Sequence, residues 1–300
     1  MANTSLSKLF SRHEFWLGLL VLLLVIGLSL STREFMTLGN LTDVATSYAI
    51  LGILACGLFV VLIAGGIDIS FPAVTSIGQY VMASYIIHHG GSFPLAFALS
   101  MGTGLLLGLV NGFLVYWLRV PAIIITIATL NLFYGLLVYL TNGTWLYGFP
   151  DWFMNGINWF SFTAADGYDY GLTLPLLSLL GVIIATGVLM NRTRVGRQIY
   201  AMGSNRDAAS RLGLNILRLH FYVYGFMGLL AGIAAGGQAQ ITQSVAPNSL
   251  LGYELTVLAA VVLGGTSMTG SLPSHLSAAS IVHIEFPLVP AARNCQVSAR

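Results

Sequence analysis

Charge is what this chain lacks. Only 7% of its 300 residues are Asp, Glu, Lys or Arg, and Lys8 is its one lysine. Soluble domains carry about a quarter charged residues, so this scarcity excludes a water-facing globular surface. It also excludes a phosphate-cradling loop, because no lysine follows a glycine-rich turn. Cysteine is scarce too: Cys56 and Cys295 are far apart and show no metal spacing, and Cys56 stands in an apolar run as a small core residue. Ten-residue alternation of apolar and polar residues, the signature of a membrane barrel, is missing. A net charge of +2 is too small to suggest a polyanion partner.

What is present is apolar sequence in long runs. Hydrophobic residues make up 56% of the chain, and the mean hydropathy is +0.84. Lipid accepts only helices or closed barrels, so the chain reads as an all-α, polytopic transmembrane bundle. With about 20 apolar residues needed per crossing, spans fall at 15–32, 44–64, 69–88, 95–117, 121–141, 172–190 and 219–240, with a shorter piece at 252–263. Lys8 and Arg12 before the first span resemble the start of a signal peptide. No small-residue cleavage site follows, so the span is read as retained.

The few charges sort by side. With the N-terminus inside, parity puts Arg119 and residues 191–218 inside and the loop 142–171 outside. The inner loop carries Arg192, Arg194, Arg197, Arg206, Arg211 and Arg218 against Asp207. The outer loop carries Asp151, Asp166 and Asp169 with no Lys or Arg, and Arg33 is the one misplaced cation. This is the positive-inside pattern. Trp145, Tyr147, Trp152, Trp159, Tyr168 and Tyr170 read as an interfacial aromatic belt or, more sharply, as a docking surface.

Sidedness does not explain the internal order of the basic loop. "GSNRDAASRLG", 203–213, has the start and stop signals of a two-turn helix. Ser204 or Asn205 can cap it, Asp207 suits the positive end of its dipole, and Gly213 can take the left-handed stop. Ala208, Ala209 and Leu212 share one side, a small apolar face suited to a groove on an inner partner. Elsewhere, "AGGIDIS" places Asp68 between apolar runs after Gly65 and Gly66. Either it caps the helix that follows, or it lines a polar cavity or braces a broken helix. Ser76, Gln79, Asn111, Thr126, Thr129 and Asn131 are polar residues inside spans, where bonding between helices and contact with a solute use the same neutral chemistry. Gly102, Gly104 and Gly108 suit close helix packing, and Gly65–Ser70 aligns weakly with Gly264–Thr269 as an internal repeat. Gln238, Gln240, Gln243 and Asn248 read as an external loop leading through Glu254 into a short re-entrant helix.

Four of these stretches resemble one family. Gly203, Asn205, Ala208, Ala209 and Gly213, preceded by Arg194, Gly196 and Arg197, look like the coupling segment of permease subunits in the ribose-type sugar branch of bacterial ABC importers. "VVLIAGGIDISFPAV" (60–74), "VNGFLVYWLRVPAIIITIATL" (110–130) and "LAAVVLGGTSMTG" (258–270) are similar to three further motifs of that family, in order. The resemblance implies a type II-like permease domain over 1–270 in the bacterial inner membrane, paired with a second copy or paralogue. It implies a periplasmic substrate-binding protein outside and an ATPase inside that holds ATP and Mg. The coupling loop would be 191–218, with Arg194, Gly196, Arg197, Gly203, Asn205, Arg206, Ala208, Ala209, Arg211 and Gly213 at the ATPase contact. The chain itself would be no enzyme and would hold no catalytic residue, metal or cofactor. Asp68, Gln79, Asn111, Thr126 and Asn131 are the candidates for the translocation path. A different class, an ion-coupled carrier, would need Asp68 as its coupling carboxylate. Nucleic acid is not an expected partner, since the basic loop lacks interleaved aromatics.

After Gly270 the resemblance stops, where the family continues toward about ten spans. Residues 271–300 hold Pro273, Pro287 and Pro290 and no span-length helix, so this tail reads as an altered reading frame or terminus. Such a loss would strip packing partners from 252–263.

Overall fold

Each uncharged run becomes a helix, because a backbone without water satisfies its N–H and C=O groups only internally. The computed structural model describes residues 13–32, 35–155, 158–163 and 169–264. Helices α1 (His13–Ser31), α2 (Leu38–Ile63), α3 (Phe71–His89), α4 (Phe93–Leu118) and α5 (Ala122–Thr141) come first. A short α6 (Asp151–Met154) and an antiparallel hairpin of β1 (Asn158–Thr163) and β2 (Asp169–Thr173) precede α7 (Leu174–Arg192). Then come α8 (Arg194–Ser204), α9 (Arg206–Arg211), α10 (Ile216–Thr242) and α11 (Tyr253–Leu263). The tail 271–300 and nearly all of the second repeat segment lie outside the described residues.

Among the described residues, five helices are long and apolar enough to cross a membrane: α2, α4, α5, α7 and α10. Helix α3, expected as a span, has the length, 19 residues, but is not among those five. Its position accounts for this. Packed against α4, α5 and α10, it is sheathed by protein and can carry Thr75, Ser76 and Gln79 fully buried.

Helix α10 is the hub, packing on α4, α2 and α3. Its tightest partner is α4, and the pair runs antiparallel through a ladder of small residues. A Cβ added at Gly104 would strike the carbonyl of Gly228, one at Gly108 the carbonyl of Tyr224, and one at Gly112 would lie 2.9 Å from the carbonyl of His220. Lipid tails are as apolar as leucine, so such helices associate through close backbone packing rather than hydrophobic expulsion. Gly102, expected in this contact, faces open space instead. It lies two residues, half a turn, from Gly104 and so off the four-residue period of the seam.

The main core joins α2, α7 and α10, with Ile50, Ile53, Leu54, Leu58, Leu179, Val223, Met227 and Leu230 buried in it. A smaller cluster closes the end opposite the arginines. There Phe149 and Phe153 are buried, with Phe153 stacked on Phe149 at 4.9 Å and on Phe93 at 5.8 Å. These phenylalanines, not singled out from the sequence, anchor the aromatic loop. Trp152 packs edge-on against Phe93, whereas Trp145 and Tyr147 are exposed. The side chains of Trp159, Tyr168 and Tyr170 lie outside those described.

Candidate functional site

The basic loop folds as two capped helices at one end of the bundle. Thr193 starts α8: its hydroxyl accepts from the Gly196 N–H at 3.0 Å and donates to the Leu189 carbonyl at 2.7 Å. Asn205, rather than Ser204, starts α9, its side-chain oxygen accepting from the Ala208 N–H at 2.9 Å. The stop is a Schellman motif. Gly213, at φ 81°, donates to Ser210, and Leu214 donates to Ala209. Removing the cap in Asn205→Ala should cost about 1 kcal/mol of α9 stability, read as faster amide exchange at Ala208 with the rest of the bundle unchanged.

Charge and packing are divided between residue types. Arg194, Arg197, Arg206 and Arg211 are exposed, whereas Gly196 and Ala209 are buried and Gly203 is half-buried. The small apolar face expected of Ala208, Ala209 and Leu212 is therefore split. Ala209 turns into the protein, while Ala208 is exposed and Leu212 is 80% exposed. Burial holds the phenol of Tyr200 on α8 above its ordinary value, so arginine sets the charge of this surface.

Two glycines key the loop to the bundle. A Cβ at Gly196 would strike the Leu189 carbonyl in the last turns of α7. One at Gly203 would strike the Ile63 carbonyl, at the end of α2. The α2 end is itself a Schellman stop, in which Gly65, at φ 81°, donates to Leu62 and Gly66 donates to Val61. Gly65 in turn lies beside Gly203. Sequence reading assigned Gly203 and the Gly65–Gly66 pair to separate motifs, and the fold presses them together.

Asp68 sits in the same joint. Its Oδ1 accepts from the Ser70 N–H at 2.8 Å and from the Ser70 hydroxyl at 2.6 Å, and that hydroxyl accepts from Asn111 Nδ2 at 2.6 Å. Thr126 donates to the Ile67 carbonyl at 3.1 Å. Residues 67–70 are thus pinned to α4 through Asn111 and to α5 through Thr126. Asp68 is 3% exposed, and both of its bonds fall on Ser70 at the start of α3. Of the residues put forward for a path, Asp68, Asn111 and Thr126 make these bonds, while Asn111 Oδ1 is buried without a partner. Asn131 is exposed and bonds to the Ile127 carbonyl on its own helix. Gln79 is fully buried, with its Nε2 unpartnered.

Between the loop and the bundle lies a cavity of about 440 Å³ lined by Gly65, Arg119, Gly203, Arg206, His220 and Tyr224, among others. His220 and Tyr224 were not singled out from the sequence, and Arg119 was read only as a charge on the inner side. Nothing in the spacing of residues 119, 206 and 220 foretells that they meet, since three separate connections bring them together.

Apolar helices joined by close glycine seams, with a basic segment keyed across one end, define a multi-pass membrane protein. The chain belongs to the family described as branched-chain amino acid transport system / permease component, whose model matches residues 40–284 and so runs past Gly270. It is 31% identical over 255 residues to the ribose import permease protein of Bacillus subtilis (strain 168), covering 85% of this chain and 76% of that one. It is 32% identical over 256 residues to the ribose import permease protein of Escherichia coli (strain K12), covering 85% and 77%. To the autoinducer 2 import system permease protein of Photorhabdus luminescens it is 31% identical over 278 residues, covering 90% and 80%. No solved structure matches the chain.

Proposed function

We propose that this permease is the membrane-spanning subunit of an ATP-driven importer that carries a sugar or sugar-like solute inward from a periplasmic binding protein. The observation that supports this most is the joint at Gly203, where a segment with exposed arginines and an exposed Leu212 is keyed to the end of α2. A cytoplasmic ATPase, holding ATP and Mg, would grip Ala208, Arg206, Arg211 and Leu212. Its motion would pass through Gly203 to Ile63 and Gly65, and through the Asp68–Ser70–Asn111 brace to α3 and α4. Arg194, Gly196 and Arg197 would hold the other end of the lever against α7. The sugar reading is supported by relatives named for ribose and autoinducer 2 import.

The arginines and the N-terminus then lie on the cytoplasmic side. The ion-coupled alternative is disfavoured, because Asp68 has both of its contacts inside the protomer and acts as a brace. The test is chemical labelling. In the full chain with Cys56 and Cys295 replaced, Ser210→Cys, which is exposed, is expected to react with a membrane-impermeant maleimide in inside-out vesicles and to be protected in intact cells. Reaction from the periplasmic side alone would leave an ATPase nothing to hold, and the proposal would fall.

A further inference from the structure

In the first half of α3 the buried Gln79 Nε2 has no partner, and the Ser76 Oγ and the Tyr134 hydroxyl of α5 have none beyond each other. Ser76 and Gln79 lie three residues apart on α3, on neighbouring faces. The loop after α10 folds back onto them, with the Ser249 hydroxyl donating to Gln79 Oε1 at 3.0 Å. Tyr134 on α5 interacts with Ser76, and the Glu254 carboxylate, in the first turn of α11, lies within its electrostatic reach. A buried polar group without a partner is costly, and Gln79 Nε2 beside the Ser76–Tyr134 pair, drawn from α3 and α5, marks a place built to meet something.

We infer that Ser76, Gln79, Tyr134, Ser249 and Glu254 form a solute-contact site in the membrane interior, selective for a neutral polyhydroxylated molecule. The inference rests on the sugar reading above. The site offers hydroxyls, an amide and a single carboxylate that can accept from vicinal hydroxyls. Among the described residues, no Lys or Arg lies on α3, α5, α11 or the 243–252 loop, and His88 and His89 stand at the far end of α3. A zwitterionic amino acid could set its ammonium on Glu254, but its carboxylate would be left buried among these residues with no Lys or Arg to offset it. Hydroxyls meet a complementary set, and the same chemistry admits a sugar and refuses leucine. The Gln79–Ser249 bond closes the site in this conformation. Beyond it, Leu146 and Val245 exchange both backbone hydrogen bonds, at 2.9 and 3.0 Å, and the Tyr80 hydroxyl bonds to Thr144.

The experiment uses the full chain in lipid nanodiscs with Cys56 and Cys295 replaced and Ser249→Cys introduced, whose thiol keeps a weak donor toward Gln79. At D-ribose ten times its apparent Kd, alkylation at this position should slow by about tenfold, and L-leucine should not slow it. Tyr134→Phe, which removes one hydroxyl and keeps the ring, should weaken ribose protection by about three- to tenfold without changing the unfolding midpoint. Equal protection by leucine, protection unchanged in Tyr134→Phe, or no protection by ribose would each overturn the site. Ribose uptake into proteoliposomes holding the permease, an ATPase and a binding protein separates the two readings. Uptake of ribose without protection removes the site and leaves the sugar reading standing. Uptake of leucine in place of ribose removes both.

Discussion

Gly203→Ala is expected to leave a folded permease that no longer imports. The added methyl has nowhere to go, because its neighbours are the carbonyl of Ile63 and, at 3.2 Å, the carbonyl carbon of Ala64, both backbone. No flexible side chain can turn aside. Overpacking of this kind costs about 1–3 kcal/mol, and here it falls on the joint that would carry motion from α8 and α9 into α2. A penalty of that size against one of two conformations corresponds to an approximately ten- to hundredfold fall in coupled uptake. The control is Gly213→Ala. That residue, unlike Gly203, has a positive φ, but nothing lies within 4 Å of its Cβ position, so the change costs only about 1–2 kcal/mol of local backbone strain and jams nothing. Uptake and ATP hydrolysis should be measured together. Hydrolysis that continues while uptake falls identifies a broken transmission, and unchanged uptake in Gly203→Ala would remove the joint from the mechanism.

Much of this arrangement is legible in the chain, and what is not has a physical cause. Gaps between charges are enough to place the apolar runs, because the cost of a charge in lipid is independent of fold. The boundaries of α9 are equally local. Asn205 reaches an N–H three residues away, and Gly213 needs only its own φ. Asp68 is different. Its neighbours along the chain fit a cap or a cavity wall, and the choice is made by Asn111, 41 residues beyond Ser70. The same holds for Gly203 against Ile63 and for Ser249 against Gln79, pairs set by how helices lean on one another. Composition also misleads where protein replaces lipid: α3 carries polar residues because its neighbours shield it. Gly102 shows the limit at finest grain. It shares a motif with Gly104 yet touches nothing, since the partner helix fixes which side of α4 becomes the seam.

That seam yields the prediction with the largest effect on stability. Gly228→Val should cost the protein its fold, while Gly102→Ala on the facing helix should not. A Cβ at Gly228 would strike the Gly104 carbonyl and lie 2.9 Å from the Gly108 Cα, while one at Gly104 would strike the Gly228 carbonyl in return. Neither backbone can yield without parting α4 from α10, and α10 is also the helix on which α2 and α3 pack. The loss therefore spreads beyond one contact. Close packing and interhelical Cα–H···O contacts, worth about 0.5–1 kcal/mol each, disappear along the whole ladder, and overpacking adds to this. Against the ~5–15 kcal/mol that holds a typical domain together, several such terms at once are decisive. Gly102→Ala meets only open space and should gain about 0.8–1 kcal/mol of helix propensity. Fluorescence-detected size exclusion after stepwise heating in detergent gives both answers. A monodisperse Gly228→Val with the parent's midpoint would mean that α4 and α10 are not held by backbone proximity, and the description of the bundle built on that pair would be wrong.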